Sequence, residues 1–134
     1  MARTLSLAVV AAFLFTLPAS AHAASPLEGT QWTFKRIDGR TVPPGFRGEL
    51  RFSEHRRWGG RDDCNHIGGR YRGRGSRLRF TEIVSTAMGC ESPGAPPPSV
   101  TGVLEGTRSY RLTPRRLLLL GRRGRTLARL APAR

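Results

Sequence analysis

Short segments in which apolar and polar residues alternate recur along most of the chain. In a β-strand successive side chains point to opposite faces, so each such segment predicts a strand with one buried face. Glycine and proline residues separate the segments, as is typical of turns. The alternating segments are residues 31–35, 49–52, 70–72, 77–80 and 110–112.

The C-terminal part of the chain continues the same pattern. Residues 117–120 are all leucine and have the length of a buried strand, and residues 122–124 predict a tight connection into a last strand at 126–130. Seven or eight short antiparallel strands predict a mainly β fold. We expect a small antiparallel β-barrel or a strongly curled sheet, since closure removes exposed strand edges.

One segment favours a helix instead. After a proline-rich stretch, Ser99 is a good N-cap residue for a short helix over residues 100–106. Val100, Val103 and Leu104 have the spacing that places apolar side chains on one side of a helix.

The N-terminus has the features of a signal peptide. Arg3 precedes an apolar run at residues 5–17, and small residues at Ala21 and Ala23 fit a signal-peptidase site. The run is shorter than the roughly 20 residues of a membrane span. We therefore predict a signal peptide at 1–23, a single domain at 24–134, and an exported protein that is periplasmic or secreted.

The predicted export affects how the two cysteines, Cys64 and Cys90, are interpreted. In an oxidising compartment an isolated pair predicts a disulfide. It would close a loop of 27 residues, worth about 3–4 kcal/mol in the chain-entropy model. The alternatives are a reactive thiol at Cys64 with His66 as its base, and two buried free thiols.

The chain is strongly basic. It has 134 residues, enough for one domain, and a net charge of +14 that comes from 22 arginines and a single lysine. Alternation places four arginines on the solvent face, namely Arg70, Arg72, Arg77 and Arg79. This surface is either a solvated exterior with an arginine content set by codon composition, or an anion-binding face.

Export favours anionic envelope components over nucleic acid as partners of such a face. Arginine binds phosphate bidentately, which suits lipid head groups and wall polymers. The sequence predicts no stacking platform for single-stranded nucleic acid, because the aromatic residues alternate inward. Trp58, beside Arg57, is the exception that we expect to point outward.

No pattern in the sequence indicates catalysis. It contains neither a G-x-S-x-G nor an H-E-x-x-H motif, and Asp62, Asp63 and His66 alone are a poor ligand set for zinc. We therefore expect no catalytic residues, no metal and no cofactor.

Three motifs in order resemble the META domain family of HslJ-like heat-shock proteins. Residues 27–32 resemble its L-x-G-T-x-W opening. Residues 64–71 resemble its C-N-x-(aromatic)-x-G-x-Y signature, in which Ile67 replaces the aromatic residue. Residues 85–90 resemble its S-T-x-M-x-C segment, and the last strands are also similar. A glycine usually precedes the cysteine of the second motif, and here Asp63 stands there. The resemblance implies a compact β-rich domain, typically exported or envelope-attached and linked to stress tolerance, with no established reaction.

The motif residues are expected to have structural roles. We expect Asn65 to bind backbone groups in a turn, Gly69 to allow a bulge, and Met88 to fill the core. Trp32 and Tyr71 are expected in the core, together with Phe52 and Phe80. The motif residues concerned are Gly29, Thr30, Trp32, Asn65, Gly69, Tyr71, Thr86 and Met88.

These observations favour an exported, non-enzymatic domain that serves the envelope or the stress response by binding, with anionic partners as candidates. One alternative is a small barrel that carries an apolar ligand in an interior lined by Trp32, Phe52 and Phe80. The other is an enzyme of unrecognised type.

Overall fold

The computed structural model describes residues 15, 17, 24–89 and 97–134. The predicted signal peptide lies outside the described residues apart from two single positions, and Cys90 also lies outside them.

Nine antiparallel strands and one α-helix make up the described part of the domain. The sheet order is β6-β5-β4-β3-β1-β9-β8-β7, and β2 pairs with the far end of β1. Helix α1 (Val100–Gly106) connects β6 to β7. The strands are β1 (Gln31–Ile37), β2 (Arg40–Thr41), β3 (Gly48–Ser53), β4 (Arg57–Asp62), β5 (His66–Arg72), β6 (Arg79–Ser85), β7 (Ser109–Thr113), β8 (Arg116–Leu120) and β9 (Thr126–Pro132).

The sheet curls until its two ends meet at one rim. Just before β6, Arg77 forms a β-bridge with Ser109 at the start of β7. The Leu78 amide donates to the Arg108 carbonyl at 3.1 Å, and the Tyr110 amide donates to the Ser76 carbonyl at 2.9 Å. The contact closes the sheet over only a few residues, so the architecture is a curled half-barrel. The predicted mainly β fold is confirmed.

Helix α1 packs against the sheet beside β6 and β9. Its Val100, Val103 and Leu104 side chains are buried, and the Ser99 Oγ atom accepts a hydrogen bond from the Gly102 amide at 2.9 Å. The predicted cap and apolar side of this helix are therefore present. Within the part of the chain that is described, no helix is long and apolar enough to span a bilayer.

Aromatic side chains form the centre of the core. The Phe52 ring meets the edge of Tyr71 with centroids 5.2 Å apart, and Trp58 meets Phe80 in the same way at 5.3 Å. Trp58 is only 3% exposed, and its Nε1 donates to the Arg70 carbonyl at 2.9 Å. The expectation that Trp58 points outward is wrong, because Phe52 is its partner across β3 and β4 and the two share the inner face.

Besides the two-residue β2, strand β4 is the element that the alternation pattern missed. Its sequence places Gly59 and Gly60 where alternating side chains would signal a strand. The pairing with β3 explains Gly60, since a Cβ atom there would clash with the Glu49 carbonyl oxygen. Close backbone approach therefore produces a strand that carries little hydrophobic signal.

Candidate functional site

The first motif forms the turn that leads into β1. The Thr30 hydroxyl donates to the Leu27 carbonyl at 2.5 Å and accepts from Trp32 Nε1 at 2.8 Å. Gly29 has a φ of +79°, and its amide donates to the Phe52 carbonyl at 2.9 Å. The motif thus satisfies the buried indole nitrogen and joins the turn to β3. These contacts are structural.

Asn65 connects the β4–β5 turn to the segment that follows β6. Its Oδ1 atom accepts hydrogen bonds from the Met88 amide at 2.6 Å and from the Thr86 hydroxyl at 3.0 Å. The Thr86 hydroxyl also accepts from the His66 amide at 3.1 Å, and the Thr86 amide donates to the His66 carbonyl at 3.0 Å. Asn65, His66, Thr86 and Met88 together are called the asparagine clasp.

Met88 contributes its backbone to this clasp, and its side chain is 58% exposed. The expectation that Met88 fills the core is therefore wrong. Residues 86–89 leave the sheet after β6, so the thioether extends towards solvent and only the amide is held.

The carboxylates of two acidic residues near the β4–β5 turn accept hydrogen bonds from backbone amides. Asp62 Oδ1 accepts from the Asn65 amide at 2.7 Å, and Asp63 Oδ1 accepts from the Arg47 amide at 2.8 Å. Asp63 has a φ of +86°, a conformation that favours glycine and that aspartate tolerates better than most residues. This explains how Asp63 occupies the position where the family motif usually has glycine. Across the described residues, no three His, Cys, Asp or Glu side chains are grouped to hold a metal.

Cys64 lies beside the clasp. Its Sγ atom is 3.9 Å from the Met88 carbonyl oxygen, two residues before Cys90 in the chain. Cys90 lies outside the described residues, so its pairing with Cys64 stays a prediction.

Gly69 lies opposite a β-bulge between β5 and β6. The register passes from Gly68–Val84 to Arg70–Thr81, so two residues of β6 oppose Gly69 alone. A Cβ atom on Gly69 would lie 2.6 Å from the Thr81 carbonyl oxygen, which excludes a side chain at this position without a backbone shift.

The arginines predicted to face solvent lie on one exposed surface. Strand register places Arg57 opposite Arg70 and Arg72 opposite Arg79. Arg70 and Arg72 are two residues apart on β5, so all four share the outer face. Arg77 precedes β6 by two residues. These five exposed residues, Arg57, Arg70, Arg72, Arg77 and Arg79, are called the arginine face.

The arginine face carries little compensating negative charge. Among the described residues, one carboxylate lies within ion-pair distance of it: Glu82 Oε2 is 3.8 Å from Arg70 Nε. Both side chains are largely exposed, so this pair contributes little to stability. Like charges at opposing strand positions repel each other, which makes the Arg57–Arg70 and Arg72–Arg79 pairs unfavourable in the absence of an anion.

Arg57 was not among the residues predicted to bind anions. It belongs to β4, the strand without a clear alternating pattern, and only the register of β4 against β5 brings it next to Arg70. No signal in the sequence indicated this neighbour.

The similarity to known proteins agrees with the fold and the motifs. The family model of the META domain matches residues 25–134. The chain belongs to the META domain family. No curated protein matches the sequence.

Two solved structures share the fold of this META domain. A protein from Burkholderia xenovorans, solved by NMR, is 23% identical with a TM-score of 0.61, over 90% of this chain and 99% of that one. A second NMR structure is 18% identical with a TM-score of 0.59, over 78% of this chain and 90% of that one. At these identities the likeness concerns the fold alone.

The interior residues of the META domain pack against one another. Trp32, Phe52 and Phe80, which the carrier hypothesis assigns to a ligand cavity, are 3%, 1% and 8% exposed and belong to one core cluster. The Phe52 and Phe80 rings are themselves in contact, with centroids 6.0 Å apart. This packing gives the carrier hypothesis no support, and the arginine face is the better candidate site.

Proposed function

We propose that this META domain is an exported protein that acts by binding anionic components of the cell envelope through the arginine face, without catalysing a reaction. The register that sets Arg57 against Arg70 and Arg72 against Arg79 carries the proposal. It concentrates guanidinium groups on one face, where the described residues offer a single nearby carboxylate.

The chemistry of the partner follows from the guanidinium group. Arginine presents a planar set of donors that matches the oxygens of a phosphate or carboxylate. A bound polyanion would also relieve the repulsion between opposing arginines. Phosphate-bearing lipids and wall polymers supply such anions in the envelope. A role in envelope stress is supported by the family resemblance alone.

Binding to anionic vesicles tests the proposal. A basic residue near an anionic membrane contributes about 1 kcal/mol, so Arg72→Gln with Arg79→Gln should weaken binding about 30-fold. Arg122→Gln with Arg123→Gln is the matched control, because it removes the same charge from two exposed residues of the β8–β9 connection. Vesicles of phosphatidylglycerol and of neutral phosphatidylcholine would be compared by co-sedimentation.

Salt supplies the second arm of this test. The Debye length falls from about 10 Å at about 0.1 M to about 3 Å at about 1 M ionic strength, so binding should be largely lost at high salt. Binding that survives high salt, or that both double variants weaken equally, would contradict a specific role of the arginine face.

Export and the disulfide are tested on the protein from an expressing cell. We expect protein from the envelope or the medium to begin at Ala24, as read by intact mass, and to have no reactive thiol until it is reduced. The position of Cys64 beside the Met88 carbonyl supports the disulfide with Cys90. A full-length cytoplasmic protein would refute the signal peptide, and two titratable thiols would refute the disulfide.

A further inference from the structure

A groove of about 280 Å³ crosses the outer surface of the sheet over β1, β9 and β8. The arginine face is elsewhere: its residues lie on β4 and β5, and on β6 or just before it. The groove is lined by three arginines and by apolar residues, namely Arg36, Arg116, Leu118, Leu127, Ala128 and Arg129. At its edge the Arg36 guanidinium donates one hydrogen bond to the Gly39 carbonyl oxygen, and its other donors are available to a ligand.

Strand register brings the key side chains together. Arg36 on β1 is the partner of Arg129 on β9, and Arg129 is the partner of Leu118 on β8. Arg116 lies two residues before Leu118 and therefore on the same face. Leu118 on the outer surface is thus bordered by arginines: Arg116, Arg129 and Arg36 on the side of the groove, and Arg111 of β7 as its other cross-strand partner.

The groove is positively charged and has an apolar floor. Arg36, Arg116 and Arg129 are exposed, whereas Leu118 is half-buried. None of the lining residues is acidic. The two ion pairs between described residues are Arg70–Glu82 and Arg125–Asp38, so no described carboxylate neutralises these three guanidinium groups at ion-pair distance.

We propose that this groove binds the phosphate group of an alkyl phosphate, with the guanidinium groups of Arg36, Arg116 and Arg129 on the phosphate and the first methylenes on Leu118. A groove of about 280 Å³ has room for a phosphate group and the first methylenes of a chain, and because it is open to solvent the rest of a longer chain can lie outside it.

Soluble alkyl phosphates test the ligand chemistry directly. Residues 24–134 would be titrated with hexyl phosphate, inorganic phosphate and hexanol by NMR, with shifts followed at Arg129 and Leu118. We expect hexyl phosphate to bind at least about tenfold more tightly than inorganic phosphate, because two methylenes contribute about 1.6 kcal/mol when buried. Hexanol should not bind. Equal affinity for hexyl phosphate and inorganic phosphate would overturn the role of Leu118.

Variants locate the site. Arg36→Gln with Arg129→Gln should weaken hexyl phosphate at least tenfold, and Leu118→Ser should reduce its affinity to that of inorganic phosphate. Arg47→Gln with Arg51→Gln is the control, because it removes the same charge from two exposed arginines outside the groove. Equal weakening by this control and by the groove variant, Arg36→Gln with Arg129→Gln, would show non-specific attraction and overturn the site. Thermal unfolding of each variant confirms that it is folded.

The same variants separate the groove from the arginine face. Loss of hexyl phosphate binding in Arg72→Gln with Arg79→Gln, but not in the groove variant, would place the ligand on the arginine face and refute the groove. The source of the phosphate is tested with vesicles of phosphatidic acid. Weaker vesicle binding by the groove variant than by Arg47→Gln with Arg51→Gln assigns a bilayer head group to the groove, whereas an effect on hexyl phosphate alone assigns a soluble amphiphile.

Discussion

Replacing Asn65 by alanine should loosen the asparagine clasp and destabilise the domain. The change removes the Oδ1 atom that accepts from the Met88 amide at 2.6 Å and from the Thr86 hydroxyl at 3.0 Å. The hydrogen bond from the Asn65 backbone amide to Asp62 Oδ1 remains in the variant. The variant therefore tests the side chain separately from the turn.

The magnitude follows from the two lost bonds. A typical intramolecular hydrogen bond contributes about 0.5–1.5 kcal/mol net, so two give about 1–3 kcal/mol. Thr86 and Met88 are exposed, so water satisfies part of the released donors and the lower half of that range applies. We expect the free energy of unfolding to fall by about 1–2 kcal/mol.

Urea unfolding followed by tryptophan fluorescence measures this loss, since Trp32 and Trp58 are buried and become exposed on unfolding. Asn65→Asp is the matched control, because its carboxylate retains an acceptor at Oδ1 and should keep most of the stability. Hydrogen exchange should accelerate at the Met88 amide in the alanine variant alone. Equal stability of wild type and Asn65→Ala, or equal losses in both variants, would refute the structural role of the clasp.

Three further changes have defined outcomes. Gly69→Ala should cost about 1–3 kcal/mol in urea unfolding, because its Cβ would lie 2.6 Å from the Thr81 carbonyl oxygen, whereas Gly59→Ala, with its nearest atom at 3.7 Å, should cost less. Tyr71→Phe should raise the free energy of unfolding by about 1 kcal/mol, because the buried Tyr71 hydroxyl has no hydrogen-bond partner among the described residues; a loss of stability would contradict this. Burial, with a smaller contribution from Tyr71, raises the pKa of Tyr110. The stability linked to this shift is fully present below the unfolded pKa of about 10 and is lost as the pH rises through the folded pKa. The free energy of unfolding, measured in urea at increasing alkaline pH, should therefore decline less steeply in Tyr110→Phe than in the wild type.

The sequence was informative where local physics decides the structure. Alternation between apolar and polar residues fixes which face of a strand is buried, and it correctly predicted a curled antiparallel sheet. The Ser99 cap and the spacing of Val100, Val103 and Leu104 predicted α1 at the residues where it occurs. Both signals depend on side chains within one turn or one strand.

Contacts between segments were the part that local patterns missed. Strand β4 was overlooked because two of its positions are glycine, of which Gly60 serves close approach to β3, and Trp58 was therefore placed on the wrong face. Met88 was assigned to the core from its residue type, although its backbone amide is the group that the fold uses. In each case the deciding partner lies more than five residues away in the chain.

The sequence by itself determined the fold class, the helix and the motifs that mark the META domain. Only the tertiary structure decided which arginines are neighbours. Alternation sends Arg70 and Arg129 to the outer face, but strand register alone sets Arg57 beside Arg70, and Arg36 and Leu118 beside Arg129. Register depends on turn geometry and on hydrogen bonds between distant strands, and a shift by two residues would leave every side chain on its face while changing all of its neighbours.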